Sequence, residues 1–311
     1  MSATQTKVFD QVTPQDNLIK IMAVRGLSQA DVCRATGLSS ATVSTWLGGN
    51  YQAKDKRVQE RINSFIRREK DKMEILSKKL PFCDTSIAVD IHEAMRNCHI
   101  NCETAVITAP SGIGKTTAIK KYCQDNPDCI LIQVMPGMTK KRLIKNIHQA
   151  LGLDGIGSAD DLIDDVIRIL TNSGRLLILD EANALKVDLI NLLRRIQDIS
   201  DYSFGLLMAG LPVLIEYIRG RKQDLAQLNN RIGILLPLGH LDSKDVEILV
   251  KSVIPDASGE VCTAFYEATY SNTRILSKFI SRSIEVAGLN HVPISPAVVS
   301  KVYASMKKLY G

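Results

Sequence analysis

The sequence lacks any apolar run near the roughly 18 consecutive residues that a membrane span requires. It also lacks the apolar segment of a secretory signal peptide near residue 1. We therefore expect a cytoplasmic protein with no membrane partner. Apolar residues make up 45% and charged residues 23% of the 311 residues, which is ordinary for a globular protein and allows two or three domains.

A second pair of zinc-ligand residues is also missing. Cys98 and Cys102, with His92 and His99 nearby, resemble half of a metal site, but no second pair at ligand spacing follows them. We therefore interpret the seven cysteines as reduced thiols rather than as metal ligands.

The net excess of positive charge is confined to the first quarter of the chain. The formal net charge is +6, and residues 1–80 contain 14 Lys and Arg against eight Asp and Glu. Residues 81–311 contain 25 of each kind and are neutral overall. This distribution predicts an electrostatic partner for the first segment.

Residues 14–68 have the pattern of short helices separated by glycine turns. Ser28 is a candidate N-cap for a helix that ends near Gly37, and Ser39 is a candidate N-cap for the next helix. Over about 50 residues this segment resembles the Cro/repressor-like helix-turn-helix family. The residues in register with that family are Gln29, Ala30, Gly37, Leu38, Val43 and Trp46.

The resemblance implies that the helix after Ser39 lies in the major groove of double-stranded DNA, with Gln29 near a phosphate. The residues then facing base edges are Ser40, Ala41, Ser44 and Thr45. These side chains are small, and none is the Arg, Asn or Gln that discriminates bases strongly. We expect weak or no sequence specificity; a helical protein-docking domain is the alternative.

The rest of the chain alternates apolar runs with helical patterns and then becomes helical. Candidate strands occupy residues 104–109, 129–135, 175–180, 204–210 and 232–237, with helices between them, so we predict an α/β domain with a parallel sheet. The sequence thus predicts a helix-turn-helix domain at 1–68, a basic linker at 69–84, an α/β core at 85–240 and a helical domain at 241–311.

The segment TAPSGIGKTT, residues 108–117, is a phosphate-binding loop in which Ala109 replaces the usual first glycine. It follows a predicted strand and precedes a predicted helix. Gly112 and Gly114 provide the tight turn, Lys115 reaches the β- and γ-phosphates, and Thr116 is placed to ligate Mg²⁺. We predict that ATP binds to Pro110, Ser111, Gly112, Ile113, Gly114, Lys115, Thr116 and Thr117.

The segment LLILDEAN, residues 176–183, is an apolar strand that ends in two carboxylates. Asp180 is the candidate to hold the Mg²⁺ water shell, and Glu181 is the candidate to polarise the attacking water. Two buried charges without a ligand would be costly, which favours a functional interpretation.

With both motifs present about 65 residues apart, the chain resembles the AAA+ ATPases over roughly residues 85–290. The resemblance implies that Arg231 is an arginine finger for a neighbouring subunit's nucleotide and that Arg274 is the sensor-2 arginine of a helical lid. A surface salt bridge is the alternative for either. At the sensor-1 position, where the family places a polar residue, the chain has Ala209, Gly210 and Leu211. We therefore expect slow or assembly-dependent hydrolysis.

The order of helix-turn-helix, basic linker, AAA+ module and lid resembles the MuB transposition proteins of Mu-like phages, in a wider group with TnsC and IstB. The resemblance implies an ATPase that binds duplex DNA without sequence preference, forms homo-oligomeric filaments or rings, selects the target and stimulates a transposase. If phage-encoded, it would act in the host cytoplasm. Candidates to line the DNA path are Lys140, Lys141, Arg142, Arg219, Arg221 and Lys222.

Two other functional classes remain open. The chain would be a transcriptional regulator if its DNA contact were sequence-specific. The lack of strongly base-discriminating side chains on the predicted recognition helix argues against that. It would be a helicase-loader or secretion-type ATPase if the first domain docked proteins, and the positive charge of residues 1–80 argues against that.

Overall fold

The structure, a computed structural model, describes residues 13–49, 51, 56–77, 80–219, 231–269 and 272–310. Two of the predicted DNA-path residues, Arg221 and Lys222, lie outside the described residues. Contacts within the chain divide it into two compact units, Met1–Lys79 and Leu80–Gly311.

The described residues of the first unit form four helices: α1 (Pro14–Arg25), α2 (Gln29–Thr36), α3 (Ser40–Leu47) and α4 (Lys56–Ser77). Ser28 and Asp31 form a reciprocal capping box at the start of α2, and the Ser39 hydroxyl accepts from the Thr42 amide at the start of α3. Helix α2 is capped at its C-terminus by Gly37, whose φ of 66° is left-handed and suits glycine. These local signals are the ones that the sequence predicted.

The core of the first unit is a small cluster around Trp46. The buried members include Leu18, Ile21, Val32, Val43, Trp46, Ile62 and Phe65. The Trp46 indole nitrogen donates to the Gln59 side-chain oxygen at 2.9 Å, so its polar edge is satisfied.

Helix α4 continues to Ser77 and therefore includes residues 69–77, which the sequence placed in a linker. Glu69 is only 3% exposed and accepts a hydrogen bond from the Arg25 side chain at 3.3 Å. This pair ties α4 to the end of α1 at a position beyond residue 68, where the sequence predicted the domain to end. Its charge pattern alone did not reveal that contact.

The second unit has a five-stranded parallel sheet in the order β2-β3-β4-β1-β5. Its elements are α5 (Ser86–Asn101), β1 (Thr104–Thr108), α6 (Lys115–Asp125), β2 (Cys129–Gln133), α7 (Lys140–Ala150), α8 (Ala159–Leu170), β3 (Leu176–Asp180), α9 (Val187–Ile199), β4 (Gly205–Gly210), α10 (Val213–Arg219), β5 (Ile232–Pro237), α11 (Ser243–Lys251), α12 (Gly259–Thr269), α13 (Thr273–Leu289) and α14 (Pro296–Tyr310). The predicted α/β class with a parallel sheet is confirmed.

Helices cover both faces of the sheet, so β1, β3 and β4 are buried throughout. Alternate residues of a strand point to opposite faces: Ala105 and Ile107 pack with α5 and α6, whereas Val106 packs with α7 to α9. The four predicted C-terminal helices are present, and they pack in the same core as Ala105 and Ile107.

Helix α11 is also tied to the start of α5 by polar contacts. The buried carboxylate of Asp245 accepts hydrogen bonds from the backbone amide and the hydroxyl of Ser86, both at 2.7 Å. All seven cysteines are free. In the part of the chain that the structure describes, no helix combines the length and the apolar character needed to cross a bilayer.

Candidate functional site

The candidate site lies at the carboxyl ends of β1, β3 and β4. In a parallel sheet these ends meet at one edge, where open α/β sheets bind ligands. Strand β4 lies between the strands that carry the two sequence motifs. The backbone amide of Ala109, just after β1, donates to the Gly210 carbonyl at the end of β4 at 3.1 Å.

The phosphate-binding loop keeps its turn without the first glycine. Gly112 and Gly114 have φ values of 82° and 106°, which an L side chain adopts only with strain. Ala109 is fully buried and is not among the residues with positive φ, so a methyl group fits there. The loop therefore needs glycine only at positions 112 and 114, where the chain has it.

Lys115 is held inside this loop. Its side chain is 6% exposed, and its ammonium group donates to the carbonyls of Ala109 at 2.7 Å and Pro110 at 3.0 Å. Burial lowers the pKa of Lys115, while the carboxylates of Glu181 and Asp180 act in the opposite direction. A desolvated cation at the N-terminus of helix α6 suits the terminal phosphates of a nucleotide.

The residues predicted to bind Mg²⁺ are brought into contact. The Thr116 hydroxyl donates to the Asp180 carboxylate at 2.8 Å, and Asp180 is 2% exposed at the end of β3. Adjacent hydroxyl and carboxylate oxygens are the donors that Mg²⁺ prefers, so the pair fits this ion together with phosphate oxygens. A bound Mg²⁺ would neutralise charge on the phosphates.

Glu181 has an unusual backbone conformation. Its φ and ψ are 59° and 36°, in the left-handed region, and its amide donates to the Asp180 carboxylate at 3.0 Å. A non-glycine residue held there costs about 1–3 kcal/mol and is found disproportionately at functional sites. Glu181 thus occupies a turn held between the end of β3 and the short 3₁₀ helix Ala182–Ala184.

The first residues of helix α13 contact the phosphate-binding loop, which the sequence did not predict. The Thr273 amide and hydroxyl both donate to the Gly112 carbonyl, at 2.7 and 2.6 Å, and the Asn272 side chain donates to the Ser111 carbonyl at 3.1 Å. Arg274 is exposed in the first turn of α13, directly after these contacts. The sensor-2 role of Arg274 stays a prediction.

Substituting Gly112 with alanine is expected to destabilise the loop more than backbone strain alone explains. A Cβ there would lie 2.5 Å from the Asn272 side-chain amide. Gly152 is the matched control, because its φ of 87° is similar and nothing lies within 4 Å of its Cβ position. Gly152→Ala should cost roughly 1–2 kcal/mol in thermal unfolding, and Gly112→Ala should cost more and also weaken nucleotide affinity. Equal unfolding costs would show that the Asn272 contact contributes nothing.

Arg231 lies in an ion pair within its own chain. Its guanidinium bonds the Asp198 carboxylate of α9 and lies 6.0 Å from the centre of the Tyr202 ring. The hydrogen bond from Arg231 is the main cause of the lowered pKa of Asp198. The structure thus shows a surface salt bridge, the alternative to a catalytic role for Arg231, and the arginine-finger role stays a prediction.

The residues predicted to read bases are all exposed on α3: Ser40, Ala41, Ser44 and Thr45. Gln29, predicted to lie near a phosphate, donates to the Ser40 carbonyl at 2.9 Å and approaches the Ser40 hydroxyl at 3.3 Å. It therefore fixes the start of α3 relative to α2. Its contact with DNA stays a prediction.

The described DNA-path candidates of the second unit are also exposed. Lys140, Lys141 and Arg142 form the first turn of α7, and Arg219 ends α10. Lys140 pairs with Asp160 at 3.2 Å, an exposed contact that contributes little to stability. Their role in DNA binding stays a prediction.

The fold and the site are those of AAA+ proteins, and a Cro/C1-type helix-turn-helix domain precedes them in the chain. The family model of the AAA domain matches residues 100–218, and that of the Cro/C1-type HTH DNA-binding domain matches residues 17–57. Among solved structures, the ORC2 protein of Aeropyrum pernix, in its ADPNP–ADP complexes, aligns with a TM-score of 0.56 at 16% identity. The alignment covers 73% of this chain and 69% of ORC2 and supports the fold.

Within this class, the chain is related to the DNA transposition proteins of the phage Mu group. It is 23% identical over 213 residues to the Mu-like prophage FluMu DNA transposition protein B of Haemophilus influenzae, covering 67% of this chain and 73% of that protein. It is 24% identical over 218 residues to the ATP-dependent target DNA activator B of Escherichia phage Mu, covering 69% of each chain. The predicted relationship is confirmed.

Proposed function

We propose that this chain is an ATP-dependent DNA-binding ATPase that oligomerises on duplex DNA, selects the target of transposition and stimulates a transposase. The observation that carries the proposal is that one chain combines a phosphate-binding loop in contact with an acidic strand end and a helix-turn-helix whose second helix, α3, exposes no strong base-reading side chain on its predicted DNA face. The relatives named as a target DNA activator and a transposition protein support the same assignment.

The DNA-facing side of the proposal rests on the exposed face of α3. Hydroxyl and methyl groups contact bases or backbone without discriminating strongly between base pairs. The surplus of positive charge in residues 1–80 supplies attraction to phosphates, which is independent of sequence. The chain therefore binds many targets with similar affinity, as a target selector requires and an operator-binding regulator does not.

The ATP-dependent side of the proposal rests on the contacts between the loop and α13. Because Thr273 and Asn272 bond the carbonyls of Gly112 and Ser111, a loop that adjusts to phosphates also moves the start of α13. Nucleotide binding thereby changes the shape of the helical domain and acts as a switch for assembly. In the assembly, Arg231 leaves Asp198 and contacts the nucleotide of a neighbouring subunit. Slow, Mg²⁺-dependent hydrolysis then takes the assembly apart.

Electron microscopy with duplex DNA of arbitrary sequence tests this function. We expect filaments or rings with Mg²⁺ and a slowly hydrolysed ATP analogue, and none with ADP. Affinity should be nearly equal for unrelated sequences and should fall by about a thousandfold between 50 and 200 mM salt if some six phosphates are contacted.

Each alternative function gives a different result in this experiment. A preference for one sequence by several orders of magnitude would indicate a transcriptional regulator. No association with DNA under any nucleotide condition would indicate a helicase-loader or secretion-type ATPase. Either result would overturn the proposal.

A further inference from the structure

The carboxyl end of β4 has no polar side chain of its own, yet a polar side chain from another element lies against it. Ala209 is fully buried, and Gly210 and Leu211 follow. The Asn183 side-chain oxygen accepts a hydrogen bond from the Leu211 amide at 3.0 Å. Asn183 belongs to the 3₁₀ helix that follows Glu181, 28 residues before Leu211.

Gly210 creates the space for this contact. A Cβ on Gly210 would lie 2.7 Å from the Asn183 side-chain oxygen and 3.1 Å from its backbone nitrogen. Gly210 is not among the glycines with positive φ, so its backbone conformation is one that other residues adopt. Glycine is therefore required at this position by the close approach of Asn183 and not by the turn.

The contact lies between the two halves of the nucleotide site. Glu181, two residues before Asn183, is the candidate to polarise water, and Gly210 bonds the Ala109 amide at the start of the phosphate-binding loop. Since β4 separates β3 from β1, a side chain at its carboxyl end lies between the acidic pair and the loop. That is where the terminal phosphate of a bound nucleotide would be.

The remaining hydrogen-bonding capacity of Asn183 suits this location. With its oxygen engaged by Leu211, its amide nitrogen retains two donors, and no partner for that nitrogen is found among the described residues. Asn183 is half-buried, so the donors are restricted in direction without being sealed from a ligand. Fixed donors beside a phosphoryl group stabilise the charge that develops as it is transferred.

We propose that the Asn183 side-chain amide is the sensor of the terminal phosphate in this protein, in place of a polar residue on β4. The Leu211 amide orients it, and its nitrogen donates to an oxygen of the terminal phosphate. This inference rests on the proposed ATPase function. In hydrolysis, water bonds to the terminal phosphorus, the bond to the bridging oxygen breaks and Glu181 accepts the water proton; Asn183 only stabilises charge.

Asn183→Asp and Asn183→Ala test the inference together. The first keeps the acceptor for Leu211 and replaces the donors by an oxygen, and the second removes the group without adding charge. We expect kcat for ATP to fall about 100-fold, as when one transition-state donor is removed. The affinity for ADP should be unchanged, whereas that for an ATP analogue should fall about tenfold. Asn146→Asp, on α7, is the matched control and should change neither.

Gly210→Ala provides an independent test because it alters Asn183 only indirectly. Its Cβ would displace the Asn183 amide, so it should reproduce the loss of ATP-over-ADP preference. Gly239→Ala, where nothing lies within 4 Å, is its control. The inference would be overturned if both Asn183 variants kept the wild-type kcat and the wild-type preference for ATP over ADP. It would also be overturned if the affinities for ATP analogue and for ADP fell equally and the melting temperature was lowered.

These readouts separate the inference from the function on which it rests. If the wild-type protein hydrolyses no ATP with Mg²⁺ and DNA, the proposed function fails. The ratio of ATP-analogue to ADP affinity in the Asn183 variants still decides whether that side chain senses the terminal phosphate.

Discussion

Replacing Lys115 with alanine is expected to abolish nucleotide binding and, with it, any ATP-dependent association with DNA. Charge-assisted hydrogen bonds contribute about 1.5–3 kcal/mol each, so losing two contacts, one to each of the terminal phosphates, weakens affinity by more than about a hundredfold. The effect is large because the ammonium group is already desolvated within the loop, where water does not replace it efficiently. Nucleotide titration and DNA binding with and without ATP measure the two losses.

Lys121→Ala is the matched control for this substitution. Lys121 lies on the same helix α6 and carries the same charge, but its ammonium group pairs with Asp125 at 2.9 Å, outside the loop. It should retain wild-type nucleotide affinity. Equal melting temperatures of the Lys115 and Lys121 variants would show that the loss of nucleotide affinity is not a loss of fold. ATP-dependent DNA binding that survives Lys115→Ala would separate this loop from the switch that we propose.

The elements of the fold and both nucleotide motifs were predictable because their signals are local. A buried parallel strand is an uninterrupted apolar run, so the predicted strand at 104–109 differs from β1 by one residue. The helices of the first unit start at capping residues that any sequence window shows, as at Ser28 and Ser39. The phosphate-binding loop is a single contiguous segment, which is why its glycines could be assigned before its geometry was known.

The contacts that complete the site were not predictable, because they join residues far apart in sequence. Thr273 reaches the Gly112 carbonyl across 161 positions. The sequence pointed to Arg274 in this segment, yet the two residues before it make the contacts with the loop. Asn183 was likewise missed, because a search along β4 for a polar residue does not reveal a side chain that approaches from the turn after β3.

The left-handed conformation of Glu181 was also missed, for a different reason. A glycine or an asparagine in a sequence often indicates a left-handed backbone conformation, whereas a glutamate does not. The strain is maintained by the packing of β3 and by the bond from the Glu181 amide to Asp180. Such a cost at a residue assigned to catalysis is consistent with a fixed direction for its carboxylate.

Glu181→Gln is therefore expected to keep nucleotide binding and to stop turnover. Glutamine has the shape of glutamate and occupies the same left-handed position, so the backbone strain is common to both proteins and the difference reports the carboxylate alone. Loss of a general base lowers the rate by about 10²- to 10⁴-fold. Single-turnover hydrolysis measures that rate, and the dissociation of ATP-loaded protein from DNA after dilution should slow in proportion.

Glu267→Gln, at an exposed position of α12, removes the same charge outside the site and should leave both rates unchanged. If Glu181→Gln instead abolished nucleotide binding, Glu181 would be a ligand of the nucleotide–metal complex and not the group that activates water. If hydrolysis stopped while dissociation from DNA stayed as fast as in the wild type, ATP would not time the release of DNA. The rates of hydrolysis and of DNA dissociation in the Glu181 variant therefore show whether ATP hydrolysis sets the time for which the protein stays on DNA.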